Sequence, residues 1–265
     1  MLTKIQIILL SNLILSAHSI AECQNKAINV NFILDGSSSV GSSNFGLAKK
    51  LIDRISANFD LDVEKTWVSF EQYADQARYD IAWTYDQSDF SSQISTDQYL
   101  NNPARFTGQA LNFCQNSILP YSQNSEIYRI VVFTTGKSSD DAGSAANQLR
   151  DSIYHPQIFA VGLGLNANSE ELIAIASNPP SEYKIEIDWR VLENENDLER
   201  VAQNMASKIC SATDCSCSHG VPVSGEECPV WGGEYCQYCE FGYQISYDYD
   251  VNGDMIGARC VEFDY

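Results

Sequence analysis

Residues 28–41 read "INVNFILDGSSSVG", an apolar run that ends on Asp35 and is followed by Ser37 and Ser39. One carboxylate and two hydroxyls at alternate positions offer hard oxygen ligands to a magnesium or calcium ion. Two later segments bear on that chemistry. "ARFTGQAL" carries Arg105 and Thr107, and "VVFTTGKSSDD" carries Thr135 ahead of Gly136-Lys137-Ser138. Arginine has no acceptor atom and keeps its charge, so it cannot ligate an ion and repels one nearby. The rest of the chain shows no catalytic constellation. After the first 21 residues only His155 and His219 remain, and His-Glu-x-x-His, phosphate-loop and Gly-x-Ser-x-Gly patterns are absent. The expectation is therefore no enzyme.

Such loops have to be held by a scaffold, and the apolar pattern describes one. Apolar strands ("INVNFILD", "IYRIVVFTT", "QIFAVGLG", "EYKIEID") alternate with helical repeats ("NFGLAKKLIDRISANF", "TGQALNFCQNSIL", "DDAGSAANQLRDSI", "SEELIAIASN", "ENDLERVAQNMASKI"). "TWVSFEQYA" and "RYDIAWTY" read as a hairpin that places one antiparallel strand at the edge. The fold class expected is α/β: a doubly wound, mostly parallel, Rossmann-like sheet with helices on both faces, followed by a small disulfide-rich module. In such sheets ligands sit at the carboxyl ends of the strands, where the Asp35 loop lies.

These phrases resemble the von Willebrand factor type A (vWA) domain family over roughly residues 27–210. They are "FILDGSSSVG", "WVSFEQYADQARYDI", "TGQAL", "RIVVFTTGKSSDD" and "IFAVGLGLNANSEELIAIASNP", in that order. The resemblance implies a metal-ion-dependent adhesion site built from an aspartate and two serines, a threonine of the second loop and an aspartate after the central strand. An ion held there leaves one position for a partner's carboxylate. Asp35, Ser37 and Ser39 match that pattern. Arg105 stands where the metal-proximal threonine would be, and Thr135 where the second aspartate would be. Two outcomes are open. In the first, Arg105 occupies the vacated place and pairs with Asp35, so that no cofactor is expected. In the second, Arg105 swings outward and a weakly bound magnesium or calcium ion stays on Asp35, Ser37, Ser39 and Thr135 through water. A slip of two residues in the second loop would make Thr107 the ligand instead. The partner-binding face expected is Ser37, Ser38, Arg105 and Thr135, with Arg105 receiving a partner carboxylate bidentately.

The first 21 residues have a lysine, an apolar run and small residues around Ala21, the order of a secretory signal peptide. The domains expected are 1–21 signal peptide, 22–210 vWA domain and 211–265 Cys-rich module. Nine cysteines fit a secreted, disulfide-bonded chain, and seven of them fall at or after Cys210. The resemblance implies that Cys23 and Cys210 join to close the A domain. Cys114 reads as a buried free thiol, with an intermolecular bridge as its rival. The last segment looks EGF-like, with a hairpin around Asn252-Gly253, and a zinc site on Cys236 and Cys239 is the lesser alternative. A net charge of −19 repels nucleic acid and anionic lipid surfaces. The function expected is a secreted matrix or adhesion protein binding an extracellular, matrix- or collagen-like partner through the loop face. The alternative is a structural spacer whose Cys-rich module makes the contacts.

Overall fold

The computed structural model describes residues 27–122, 127–211, 217–222, 234–249, 253 and 255–263. The expected signal segment, Cys23, Cys215, Cys228 and Asn252 lie outside these residues. Six strands form the central sheet: β1 (Asn29–Asp35), β2 (Trp67–Tyr73), β3 (Ala77–Thr84), β4 (Tyr128–Thr134), β5 (Gln157–Leu163) and β6 (Lys184–Ile187). Their order is β3-β2-β1-β4-β5-β6. Every pairing is parallel except β2 with β3, the hairpin at the edge. Strands β1, β2 and β5 are buried along their whole length; β1 and β5 accordingly read as near-continuous apolar runs, whereas β2 buries Ser69, Glu71 and Gln72 as well.

The helices cover both faces. Helix α1 (Ser42–Ser56) packs against α2 (Gln87–Thr96) and against α8 (Glu195–Ser211). On the other side α4 (Ala142–Arg150) packs against α3 (Thr107–Phe113) and α5 (Ser169–Ile175). Short turns α6 (Pro180–Tyr183) and α7 (Trp189–Leu192) flank β6. Helix α2 was not expected from the pattern. It starts because the Asp86 carboxylate accepts from the amides of Ser88 and Asp89, and it buries only Phe90 and Ile94. The single helix expected for "TGQALNFCQNSIL" breaks in register. After α3 the chain widens to a π-turn at Cys114–Ile118 and tightens to a 3₁₀ turn at Leu119–Tyr121.

Strand register sets up the site. Leu34 of β1 lies opposite Phe133 of β4, so Asp35 and Thr135 leave the sheet side by side at its carboxyl edge. Strand order reverses about β1, whose two neighbours run parallel to it and whose following loop therefore opens onto a crevice.

The C-terminal segment is held by disulfides Cys217–Cys236 and Cys239–Cys260. Strand β7 (Gly220–Pro222) pairs with β8 (Cys236–Cys239), and β9 (Tyr243–Tyr249) pairs antiparallel with β10 (Met255–Glu262) as the expected hairpin. With Cys236 and Cys239 both oxidised, the zinc alternative has no thiolates to use. The segment is disulfide-rich, and no feature of its described residues marks it as EGF-like. Cys210 is disulfide-bonded. Cys114 is a free thiol with no exposure, which blocks an intermolecular bridge from the folded state.

Candidate functional site: a three-loop crest closed by Arg105

Three loops meet at the carboxyl edge of the sheet, and the chain builds each from local hydrogen bonds. In the first, the Ser37 amide donates to Asp35 Oδ1 at 2.9 Å, which turns the backbone back over the strand end. Ser37 Oγ and Ser39 Oγ then sit 3.0 Å apart. The Ser38 amide donates to the Asn102 carbonyl and the Asn101 amide to the Gly36 carbonyl, tying the first loop to the second. Tyr99 adds another tie, since its hydroxyl donates to the Ser37 carbonyl and accepts from the Gly41 amide.

The second loop delivers Arg105 into the centre. Arg105 Nε donates to Asp35 Oδ2 at 2.6 Å, where Asp35 has no exposure and the arginine side chain only 13%. The Nη2 group donates to Thr135 Oγ1 at 2.8 Å, to Ser37 Oγ at 3.2 Å and to Ser39 Oγ. The Nη1 group reaches the Lys137 carbonyl at 3.3 Å. Thr135 completes the ring, its hydroxyl donating to Asp35 Oδ2 at 2.7 Å and its amide to the same oxygen at 3.2 Å. Thr107 is elsewhere: its hydroxyl donates to Tyr73 Oη at 3.1 Å in the interior. The two-residue slip is thereby ruled out, and Arg105 is the residue at the centre.

Backbone contacts fix the same loops from behind. The Ser139 amide and Ser138 Oγ both donate to the Arg105 carbonyl, and the Phe106 amide donates to the Ala74 carbonyl. Asp140 accepts from the Gly108 and Gln109 amides at 2.9 and 2.8 Å, holding the first turn of α3 against the third loop. Glu171 accepts from the Ser138 amide at 2.8 Å, and burial pushes its carboxyl above the usual range despite that bond. Burial, with the Asp35 charge second, likewise pushes the Tyr73 phenol up. Tyr99, Ser138, Asp140 and Glu171 were not singled out from the sequence. The only hint was the hydroxyl- and acid-rich run "SSDD" in the third loop.

This arrangement does not fit a divalent ion. Asp35 is the one carboxylate paired with Arg105 among the described residues. The guanidinium already sits among the hydroxyls an ion would need. Two like unit charges 4 Å apart repel by about 4 kcal/mol at a protein-surface dielectric, and an ion would meet that repulsion twice over. The geometry also corrects the expected role of Arg105. Its Nε and Nη2 edge is spent on Asp35, Ser37, Ser39 and Thr135, so no fork is left for a partner carboxylate.

Residues 29–199 match the von Willebrand factor type A domain. The chain belongs to that family. Among relatives of this A domain, the human collagen alpha-1(XXI) chain is 29% identical over 255 residues, spanning 95% of this chain and 24% of its own length. Matrilin-1 of Gallus gallus is 30% identical over 198 residues, spanning 72% of this chain and 38% of its own. The chain thus spans well under half of these relatives. Proximal thread matrix protein 1 from the mussel byssus superposes with a TM-score of 0.59 at 19% identity, covering 70% of this chain and 46% of that one. The same mussel protein with a zinc-occupied MIDAS motif gives a TM-score of 0.58 at 18% identity, over 69% and 46% of the two chains. At these identities the structural likeness speaks for the fold. No helix among the described residues is long and apolar enough to cross a membrane.

A cleft lies at the opposite end of the sheet, bordered by Arg150, His155, His219 and Arg259. Each histidine there is engaged: His155 Nδ1 lies 3.3 Å from the Arg150 carbonyl, and His219 stacks on Tyr243 with ring centroids 4.2 Å apart.

Proposed function

We propose that this protein is a secreted component of the extracellular matrix or of an adhesive secretion, and that its A domain binds a matrix- or collagen-like protein partner through the loop crest. The observation that carries the reading is the pre-organisation of the crest. Three loops are joined by side-chain and backbone hydrogen bonds centred on Arg105, so docking pays little ordering entropy. The relatives named collagen alpha-1(XXI) chain and matrilin-1 support a matrix setting. The disulfides fit an oxidising compartment.

In this reading Ser37, Arg105 and Thr135 shape the crest, while the exposed Ser38, Lys137 and Leu165 meet the partner. Leu165, in the loop that follows β5, is 88% exposed. The test is surface plasmon resonance of the full chain over immobilised fibrillar collagen and matrilin, in buffer with EDTA. Ser38→Arg and Leu165→Asp are each expected to weaken binding at least about tenfold, equivalent to ~1.4 kcal/mol. Ile153→Asp, an exposed apolar position beyond the carboxyl end of α4, should leave it unchanged.

A second reading places the contacts on the disulfide-rich segment, with the A domain as a spacer. It is favoured by the exposed aromatic rings of Tyr238, Phe241 and Tyr249 on that segment. Loss of binding on Phe241→Asp with no effect of Ser38→Arg would select it.

A further inference from the structure

We infer that Arg105 is the resident cation of the crest: a guanidinium tethered by its own backbone, which holds the three loops in one arrangement whether or not divalent ions are present. A freely exchanging ion would make the shape of these loops depend on its concentration. Arg105 cannot diffuse away: its backbone is fixed by the Ser139 amide at its carbonyl and by the next residue's amide on Ala74, and its guanidinium is held by Asp35, Ser37 and Thr135. Among the described residues its one ion-pair partner is Asp35, and the Glu171 carboxyl also feels its charge. Thr135 fits that balance. Where a second carboxylate would leave net negative charge, its hydroxyl donates to Asp35 and accepts from Arg105, closing a neutral ring.

Packing supports the same conclusion. A Cβ added at Gly136 would lie 2.7 Å from Arg105 Nη1, so the third loop is folded directly onto the guanidinium. An entering ion would have to expel Arg105 from a fully buried carboxylate and open this contact. The inference deepens the proposed function in one respect and rests on it there: if the crest is the working face, partner binding needs no divalent ion and survives chelation.

The experiment uses the full chain, with MgCl2, MnCl2, EDTA and methylguanidinium as probes. In calorimetry the natural protein should show no Mn2+ or Mg2+ isotherm, and its Tm should coincide in EDTA and in excess Mn2+. The double variant Arg105→Thr with Thr135→Asp should bind one Mn2+, with a Kd of about 10⁻⁵–10⁻³ M as for many oxygen-ligand sites. Arg105→Ala should lose Tm and regain part of it in methylguanidinium but not in methylammonium.

A one-to-one Mn2+ isotherm for the natural protein, or a fall of its Tm in EDTA, would overturn the inference. So would a folded double variant that stays silent to Mn2+, since the guanidinium would then not stand in an ion's place. Should Arg105→Ala fail to fold, Arg105→Lys decides the same point. A lysine offers a point charge without the fork, so its Tm should fall, and an unchanged Tm would contradict the latch. None of these readouts involves a partner, so loss of the proposed binding role and loss of the latch are seen separately.

Discussion

Glu71 sits in β2 with no exposure, and neither of its carboxyl oxygens makes a hydrogen bond of good geometry among the described residues, although the Asn31 amide lies close. Around it are Asn31, Ser69, Tyr79 and Cys114, where Ser69 Oγ donates to Asn31 Oδ1 and Asn31 Nδ2 lies 3.3 Å from Cys114 Sγ. Burial pushes the Glu71 carboxyl well above the carboxylate range; the Asn31 amide offsets part of this and the Asp80 charge adds to it. The native state therefore holds a proton that the unfolded chain releases above about pH 4.3. This group's contribution is fully present below that value and is lost as pH rises through the folded one. Glu71→Gln removes the titration, and we expect it to flatten the fall in stability from pH 4.5 to 7.5 and to add about 1–3 kcal/mol at the upper end. Urea unfolding at both pH values measures this. Asp80, pushed up to about 6 by burial, titrates in the same window, so a residual slope should persist in the variant. An unchanged slope would mean that Glu71 is already charged in the native state.

At the scale of elements, the loop after β4 has to approach the guanidinium closely, and Gly136 is what permits it. The Asn166 carbonyl, 3.4 Å from a Cβ added at Gly136, and Glu171 at the start of α5, which holds the Ser138 amide, leave that loop little room to retreat. Gly136→Ala should cost about 1–3 kcal/mol in thermal unfolding, as overpacking in a close-packed site does. Combined with Arg105→Ala the cost should be less than the sum, because the added methyl then meets no Nη1. Additive costs would show that Gly136 serves the turn alone. Much of this architecture was legible in the sequence. Strands β1, β4 and β5 are apolar because both faces are covered, and α1 and α8 carry clean helical repeats. Helix α2 escaped because "QSDFSSQIST" buries only Phe90 and Ile94, and the π-turn escaped because one slipped hydrogen bond leaves Cys114 and Ile118 facing the core. At the site, residue types showed that Arg105 and Asp35 conflict with an ion. They did not show that the whole Nε and Nη2 edge would be spent inside the crest, because that depends on how far the second loop enters. Tyr99, Asp140 and Glu171 were hidden for the same reason: their partners are distant in sequence and are brought near only by the fold.

For the whole molecule, two parts rest on different physics. The six-stranded sheet is stabilised by one large continuous core with helices on both faces. Among its described residues the disulfide-rich segment has a small cluster of Tyr235 and Ala258 with Ile245 beside it, and a second made largely of the cystines themselves. A core of that size cannot offset the entropy of ordering the chain, so the covalent links must do most of the stabilising. Cys217–Cys236 and Cys239–Cys260 close loops of 19 and 21 residues in sequence separation, each worth roughly 3 kcal/mol on the loop-entropy account. Reduction should therefore unfold the segment while the sheet persists. In hydrogen exchange with dithiothreitol, the amides of β9 and β10 should lose protection, and those of β1, β4 and β5 should keep it. Crest properties should follow the sheet: the absence of a Mn2+ response and any binding lost on Ser38→Arg should be the same before and after reduction. If reduction abolished binding while the sheet amides stayed protected, the contacts would belong to the disulfide-rich segment, and Phe241 and Tyr249 would be the residues to substitute next.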